Sequence, residues 1–77
     1  MTNKQLADKL NALVKEYRDE PLHFKDFSYH IHDEMVELRN KHWHQIRNAC
    51  RNKESELYKA QLDSVALSHE IISNFIK

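Results

Sequence analysis

Apolar side chains recur at three- and four-residue steps along most of the chain, which is the spacing of one face of an α-helix. The first such stripe consists of Leu6, Leu10, Leu13, Val14 and Tyr17. It predicts a helix over residues 3–19 that begins with a capping box between Thr2 and Gln5. The helix should end before Pro21, because the residue that precedes a proline avoids helical geometry.

A second stripe follows a connection over residues 20–26, in which Leu22 and Phe24 are expected to pack against the core. Its members are Phe27, Ile31, Met35, Leu38, His42, Ile46 and Ala49. The stripe predicts a second, long helix from about residue 27 to residue 51. Asp26 is a suitable N-cap for this helix.

The connection between the second and third helices allows two interpretations. Basic residues suit a helix C-terminus and acidic residues suit an N-terminus, and the chain changes from one to the other near Asn52. We therefore predict a break there. One continuous helix remains the alternative, because residues 48–56 contain neither proline nor glycine.

The third helix, predicted over residues 53–76, has a wider apolar face than one neighbouring helix covers. One row is Tyr58, Leu62, Val65, Ile72 and Ile76, with His69 in the remaining position. The row beside it is Leu57, Ala60, Leu67, Ile71 and Phe75. The surplus of apolar side chains indicates that a second protein surface packs against this helix. We expect a partner-binding surface formed by Leu67, Ile71 and Phe75 together with Trp43, although Trp43 covering the edge of the core is an equal alternative.

Composition strengthens the helical prediction. The chain of 77 residues has no glycine and only one proline, so the tight turns of a small β-sheet are disfavoured. A single domain over residues 1–77 buries only ~60% of the surface exposed by its unfolded chain, and chains of this size usually need additional stabilisation. We predict an all-α fold, with a short N-terminal helix packed on a long helical hairpin, that associates as a homodimeric helical bundle.

Charge is arranged in bands although the net charge is zero. Residues 26–38 carry acidic charges only, residues 39–53 carry basic charges only, and residues 54–70 are again mainly acidic. Oppositely charged bands could pair across the hairpin or between two copies. Such surface pairs are individually weak, but they specify register and orientation.

The basic band supports an alternative, a regulator that binds nucleic acid. The residues that would contact phosphates or base edges are Arg39, Lys41, His44, Arg47, Arg51 and Lys53. Trp43 could stack on an unpaired base. The neutral charge of the whole chain argues against this interpretation.

Catalytic and metal chemistry find little support. Among six histidines, His30 and Glu34 have ligand spacing on one helical face, while Glu20-x-x-His23 is interrupted by the proline. A metal-binding bundle is a distant third possibility, and we expect no metal and no cofactor. The only cysteine, Cys50, is expected to be buried near the second stripe. No glycine-rich phosphate loop or nucleophile elbow is present, so we expect a protein that is not an enzyme.

The functional expectation is a small non-catalytic adaptor, modulator or inhibitor that binds another, unidentified protein. No apolar run is long enough to span a membrane, and the first residues are polar rather than signal-like. A single cysteine suits a reducing compartment. We therefore expect a cytoplasmic protein without a membrane partner.

Overall fold

The computed structural model of the protein describes residues 1–20 and 25–76, apart from the side chains of residues 75 and 76. This part of the chain forms four α-helices and no strand. The helices are α1 (Asn3–Asp19), α2 (Lys25–Lys41), α3 (Trp43–Ala49) and α4 (Glu56–Ile76). The predicted all-α fold is confirmed. The expected packing of Leu22 and Phe24 lies outside the described residues.

Helix α1 has the boundaries that its sequence predicts. The Thr2 Oγ1 atom accepts a hydrogen bond from the Gln5 amide at 3.1 Å, and the Thr2 amide donates to Gln5 Oε1 at 2.9 Å. These two bonds form the predicted capping box. Glu20, which precedes Pro21 in the sequence, leaves the helix with φ −77° and ψ 116°, the extended geometry favoured before proline.

The predicted second helix is divided into α2 and α3 at His42. Its backbone, with φ −112° and ψ 29°, departs from helical values, and the bend occurs without proline or glycine. The bend allows Ile46 and Ala49 to enter a cluster with residues of α1 and α4. The other end also differs from the prediction: α2 begins at Lys25, and Asp26 lies in the first turn rather than at the N-cap. There its negative charge interacts favourably with the positive end of the helix dipole.

The predicted break near Asn52 is confirmed, because α3 ends at Ala49 and α4 begins at Glu56. The Asn52 amide donates to the Ala49 carbonyl at 3.0 Å, and the Asn52 side chain accepts from the Glu54 amide at 3.0 Å. None of the described residues has a positive φ. The chain thus turns without the left-handed residue that usually ends a helix.

The core consists of two clusters that reveal the helix directions. The first contains Leu6, Ala7, Leu10, Ile46, Ala49, Leu57 and Ala60. The second contains Leu13, Tyr17, Ile31, Met35, Leu67 and Ile71. Early residues of α1 contact early residues of α4, and late residues contact late ones, so α1 and α4 run parallel. Helix α2 runs antiparallel to both.

Polar contacts join the helices at the surface. The Gln45 Nε2 atom donates to the Met1 carbonyl at 2.9 Å and to Asn3 Oδ1 at 2.7 Å, which attaches α3 to the start of α1. At the other end, Arg18 and Glu70 form an ion pair of 2.7 Å between α1 and α4. The α3 end and the far end of the bundle are therefore each held by a contact outside the core.

Candidate binding surfaces

Helix α4 buries one of its two apolar rows and exposes the other. The inner row (Leu57, Ala60, Leu67 and Ile71) is buried against the other helices. Leu67 and Ile71 are 0% exposed, so the expectation that they form a partner-binding surface is wrong for this fold. The reason is that α1 and α2 already cover this side of α4. The side chain of Phe75, the third residue of that expectation, lies outside the described residues.

The exposed row is the one that the sequence did not single out as a binding surface. We call it the outer row (Tyr58, Leu62, Val65, His69 and Ile72). Leu62 is 50% exposed and Ile72 is 37% exposed, while Tyr58 and Val65 are half-buried. The sequence signal was the surplus of apolar residues on this helix, but that signal did not indicate which of the two rows would face the core.

Arg39, expected on an open basic surface, is half-buried between α2 and α4. Its guanidinium donates to Ser68 Oγ at 3.1 Å and to Ser64 Oγ at 3.4 Å. Burial lowers the pKa of the Arg39 guanidinium because desolvation disfavours the charged form, although arginine stays protonated near neutral pH. Among the described residues, no carboxylate lies within ion-pair distance of this group. Arg39 therefore contributes to packing as well as to charge.

The other predicted nucleic-acid contacts lie on the surface. They are Lys41, His44, Arg47, Arg51 and Lys53, all exposed. The expected ion pairs across the hairpin do not form: in the described part of the chain, no ion pair joins residues 39–53 to residues 26–38 or 54–70. The basic charge of this segment is thus not neutralised within the described monomer.

Trp43 is the first residue of α3 and is 48% exposed. The Arg47 guanidinium lies over its ring, with 5.3 Å between Cζ and the ring centroid, a cation–π arrangement. The His44 ring meets it edge to face, with 4.5 Å between centroids. The tryptophan lies off the core stripe, as its sequence position indicated. Its ring contacts the side chains of Arg47 and His44.

A groove of about 350 Å³ lies next to Trp43, between the α2–α3 bend and α4. Its lining includes Arg39, Asn40, Trp43, Arg47, Cys50 and Gln61. None of the described residues that line it is acidic. The Gln61 Oε1 atom is buried and accepts no hydrogen bond from a described residue. The groove therefore combines two arginines and an aromatic ring.

Cys50 is exposed on the wall of this groove, so the expectation that it is buried is wrong. Cys50 still has helical backbone angles, φ −66° and ψ −10°, and its amide donates to the Ile46 carbonyl at 3.0 Å, so its exposure does not result from a change in backbone geometry. Helix α3 ends at Ala49, and Cys50 lies at the start of the turn toward α4. The core side of α3 is formed by Ile46 and Ala49 alone.

Among the described residues, side chains that could bind a metal lie together in pairs and not in groups of three or more. The His30 Nε2 atom lies 3.0 Å from Glu34 Oε1 on the exposed side of α2. Within residues 1–20 and 25–76, no group of three histidine, cysteine, aspartate or glutamate side chains is arranged to hold a metal ion. His23, from the interrupted motif, lies outside the described residues.

Comparisons with protein-family models, with curated proteins and with solved structures each found no match for this chain. Among the described residues, no helix combines the length and the apolar character needed to cross a bilayer.

Proposed function

We propose that the protein is a small, non-catalytic helical adaptor or regulator that acts by protein–protein binding and associates with a second copy of itself. The observation that carries this proposal is the exposed outer row of α4. Burial of an exposed leucine and isoleucine in an interface is favourable in proportion to the apolar area removed from water. A chain with a small core gains the most from such burial.

The spacing of the outer row matches a seam between two helices. Its members follow one another by four, three, four and three residues, the a/d pattern of helices that pack with knobs in holes. The positions that flank this seam include Lys59, Gln61, Ala66, Ser68 and Ser73. Ala66 and Ser73 are small and exposed, so they allow another helix to approach closely.

The charges of α4 favour an antiparallel pair over a parallel one. Antiparallel pairing centred on Val65 sets Tyr58 against the second copy's Ile72 and brings Lys59 near the second copy's Glu70. Parallel pairing in register would instead set each acidic residue of α4 beside its own copy. Such arrangements contribute mainly to orientation.

Sedimentation equilibrium with a paired set of variants tests the proposal. We expect a dimer that persists at high salt, because apolar burial is not screened. The double variant Leu62→Gln/Ile72→Gln should be monomeric and folded. The control Asp63→Gln/Asn74→Gln introduces the same two side chains at exposed positions of α4 outside the outer row and its flanks, so it should remain dimeric.

A reducing agent is required in these measurements, because the exposed thiol of Cys50 could otherwise form a disulfide between copies. A monomeric parent protein would contradict self-association and leave the outer row for a different protein. The same thiol supports placing the protein in a reducing compartment, the cytoplasm, as part of the proposal.

The second candidate function is nucleic-acid binding through residues 39–53. The observation that favours it is the lack of ion pairs to this segment among the described residues. Affinity for DNA or RNA should then fall steeply with salt, and Arg47→Ala/Arg51→Ala should remove it. Binding that is absent at low salt would exclude this candidate.

A further inference from the structure

We propose that the groove beside Trp43 binds a nucleotide unit, with the phosphate between Arg39 and Arg47 and the base against the tryptophan ring. The proposal deepens the second candidate function by giving it a site. It does not depend on self-association through α4. The proposed ligand is a phosphate joined to a flat aromatic base, either as a free nucleotide or as part of a single strand.

Arg39 supplies a partly desolvated positive charge to the groove. Its guanidinium is half-buried and, among the described residues, it donates to two neutral hydroxyl groups, at 3.1 and 3.4 Å. Burial without a carboxylate is unfavourable for a cation, and it is the cause of the lowered pKa of this arginine. An anion in the groove would supply the missing charge and accept the guanidinium donors that remain.

Arg47 brings a second positive charge to the groove. Its guanidinium is held over Trp43 and lines the same groove as Arg39. The two cations come from different helices, and none of the described residues that line the groove is acidic. Two arginines around one cavity match the several acceptor oxygens of a phosphate better than the two of a carboxylate.

The size of the groove and its aromatic wall favour a nucleotide over a simple anion. The groove volume of about 350 Å³ exceeds what a phosphate alone requires and lies in the range of small-molecule sites. The exposed tryptophan offers a surface on which a base can stack.

The test compares an arginine that lines the groove with one that does not. Arg47 and Arg51 are both exposed, but only Arg47 lines the groove. The probe is a fluorescein-labelled oligothymidine, followed by anisotropy at low salt. Loss of a charged hydrogen-bond donor should weaken binding by about tenfold or more for Arg47→Gln. The control Arg51→Gln changes the net charge equally and should have a clearly smaller effect.

Trp43 is the only tryptophan in the chain, so quenching of its emission by unlabelled oligothymidine reports stacking independently. Thymidine monophosphate and inorganic phosphate, used as competitors, separate the possible ligands. Thymidine monophosphate that displaces the probe at the same concentration as unlabelled oligothymidine would support the site. It would also assign the site to free nucleotides. Competition by phosphate as strong as by the mononucleotide would overturn the role of the base.

Equal losses for Arg47→Gln and Arg51→Gln would overturn the groove as the site, because they would indicate general attraction to a basic surface. Lack of oligomer binding at low salt would overturn it as well. The same titration with the Leu62→Gln/Ile72→Gln variant separates this inference from self-association. Binding by the monomeric variant would support the groove even if the proposed dimer fails.

Discussion

At the scale of single residues, Arg39 is the side chain whose location differs most from the location that the sequence predicts. The sequence placed it at the start of a basic surface, whereas it is inserted between two helices and bonded to Ser64 and Ser68. Burial of an unpaired cation costs free energy that the folded protein must recover elsewhere. A residue with such a cost is a candidate for function rather than for stability.

This setting yields a prediction for Arg39→Met. The methionine fills similar space with a flexible apolar chain and removes the desolvated charge, so the free energy of unfolding should change by no more than about 1 kcal/mol in either direction. Oligothymidine binding should fall strongly in the same variant. Urea unfolding measures the first quantity, and a loss above about 3 kcal/mol would instead identify Arg39 as essential for packing.

At the scale of helices, α1 could be predicted fully and the α2–α3 bend could not. The limits of α1 are marked by local chemistry, with a threonine and a glutamine that cap it and a proline that follows it. The bend at His42 has no such mark, because neither proline nor glycine is present. It arises from tertiary packing, which brings Ile46 and Ala49 onto α1 and α4.

The same distinction explains why the binding surfaces were only partly predicted. Both rows of α4 are apolar, but the buried side also carries the small residues Ala60, Ser64 and Ser68. Small side chains let neighbouring helices pack closely, so shape outweighed hydrophobicity in the choice of the buried side. The groove combines residues of α2, α3 and α4, and no pattern within one helix could reveal that combination.

At the scale of the whole molecule, the fold is an elongated bundle of 34 × 21 × 20 Å with its exposed basic segment around α3. Helices α1 and α4 start at this end, and their positive N-terminal dipole ends add to the local potential. The net charge of zero therefore conceals a polarised surface. Such a surface can orient an approaching anion even though the molecule as a whole is neutral.

Self-association should be visible in the stability of the whole molecule. If unfolding dissociates a dimer, its midpoint depends on protein concentration by mass action. For a chain of this length, we expect Tm to rise by about 5 °C for each tenfold increase in concentration. Calorimetry over a hundredfold range measures this change. The Leu62→Gln/Ile72→Gln variant should have a Tm that is independent of concentration, and a constant Tm in the parent protein would refute the dimer.

The turns of this fold make it well suited to systematic mutagenesis. Because none of the described residues has a positive φ, alanine can replace each non-proline residue in residues 1–20 and 25–76 without conflict between its Cβ atom and the backbone. In a protein with glycine turns, an alanine scan mixes backbone strain with loss of side chains. In this protein the scan would measure the loss of each side chain without backbone strain. Each effect on stability or binding could therefore be assigned directly to the side chain removed.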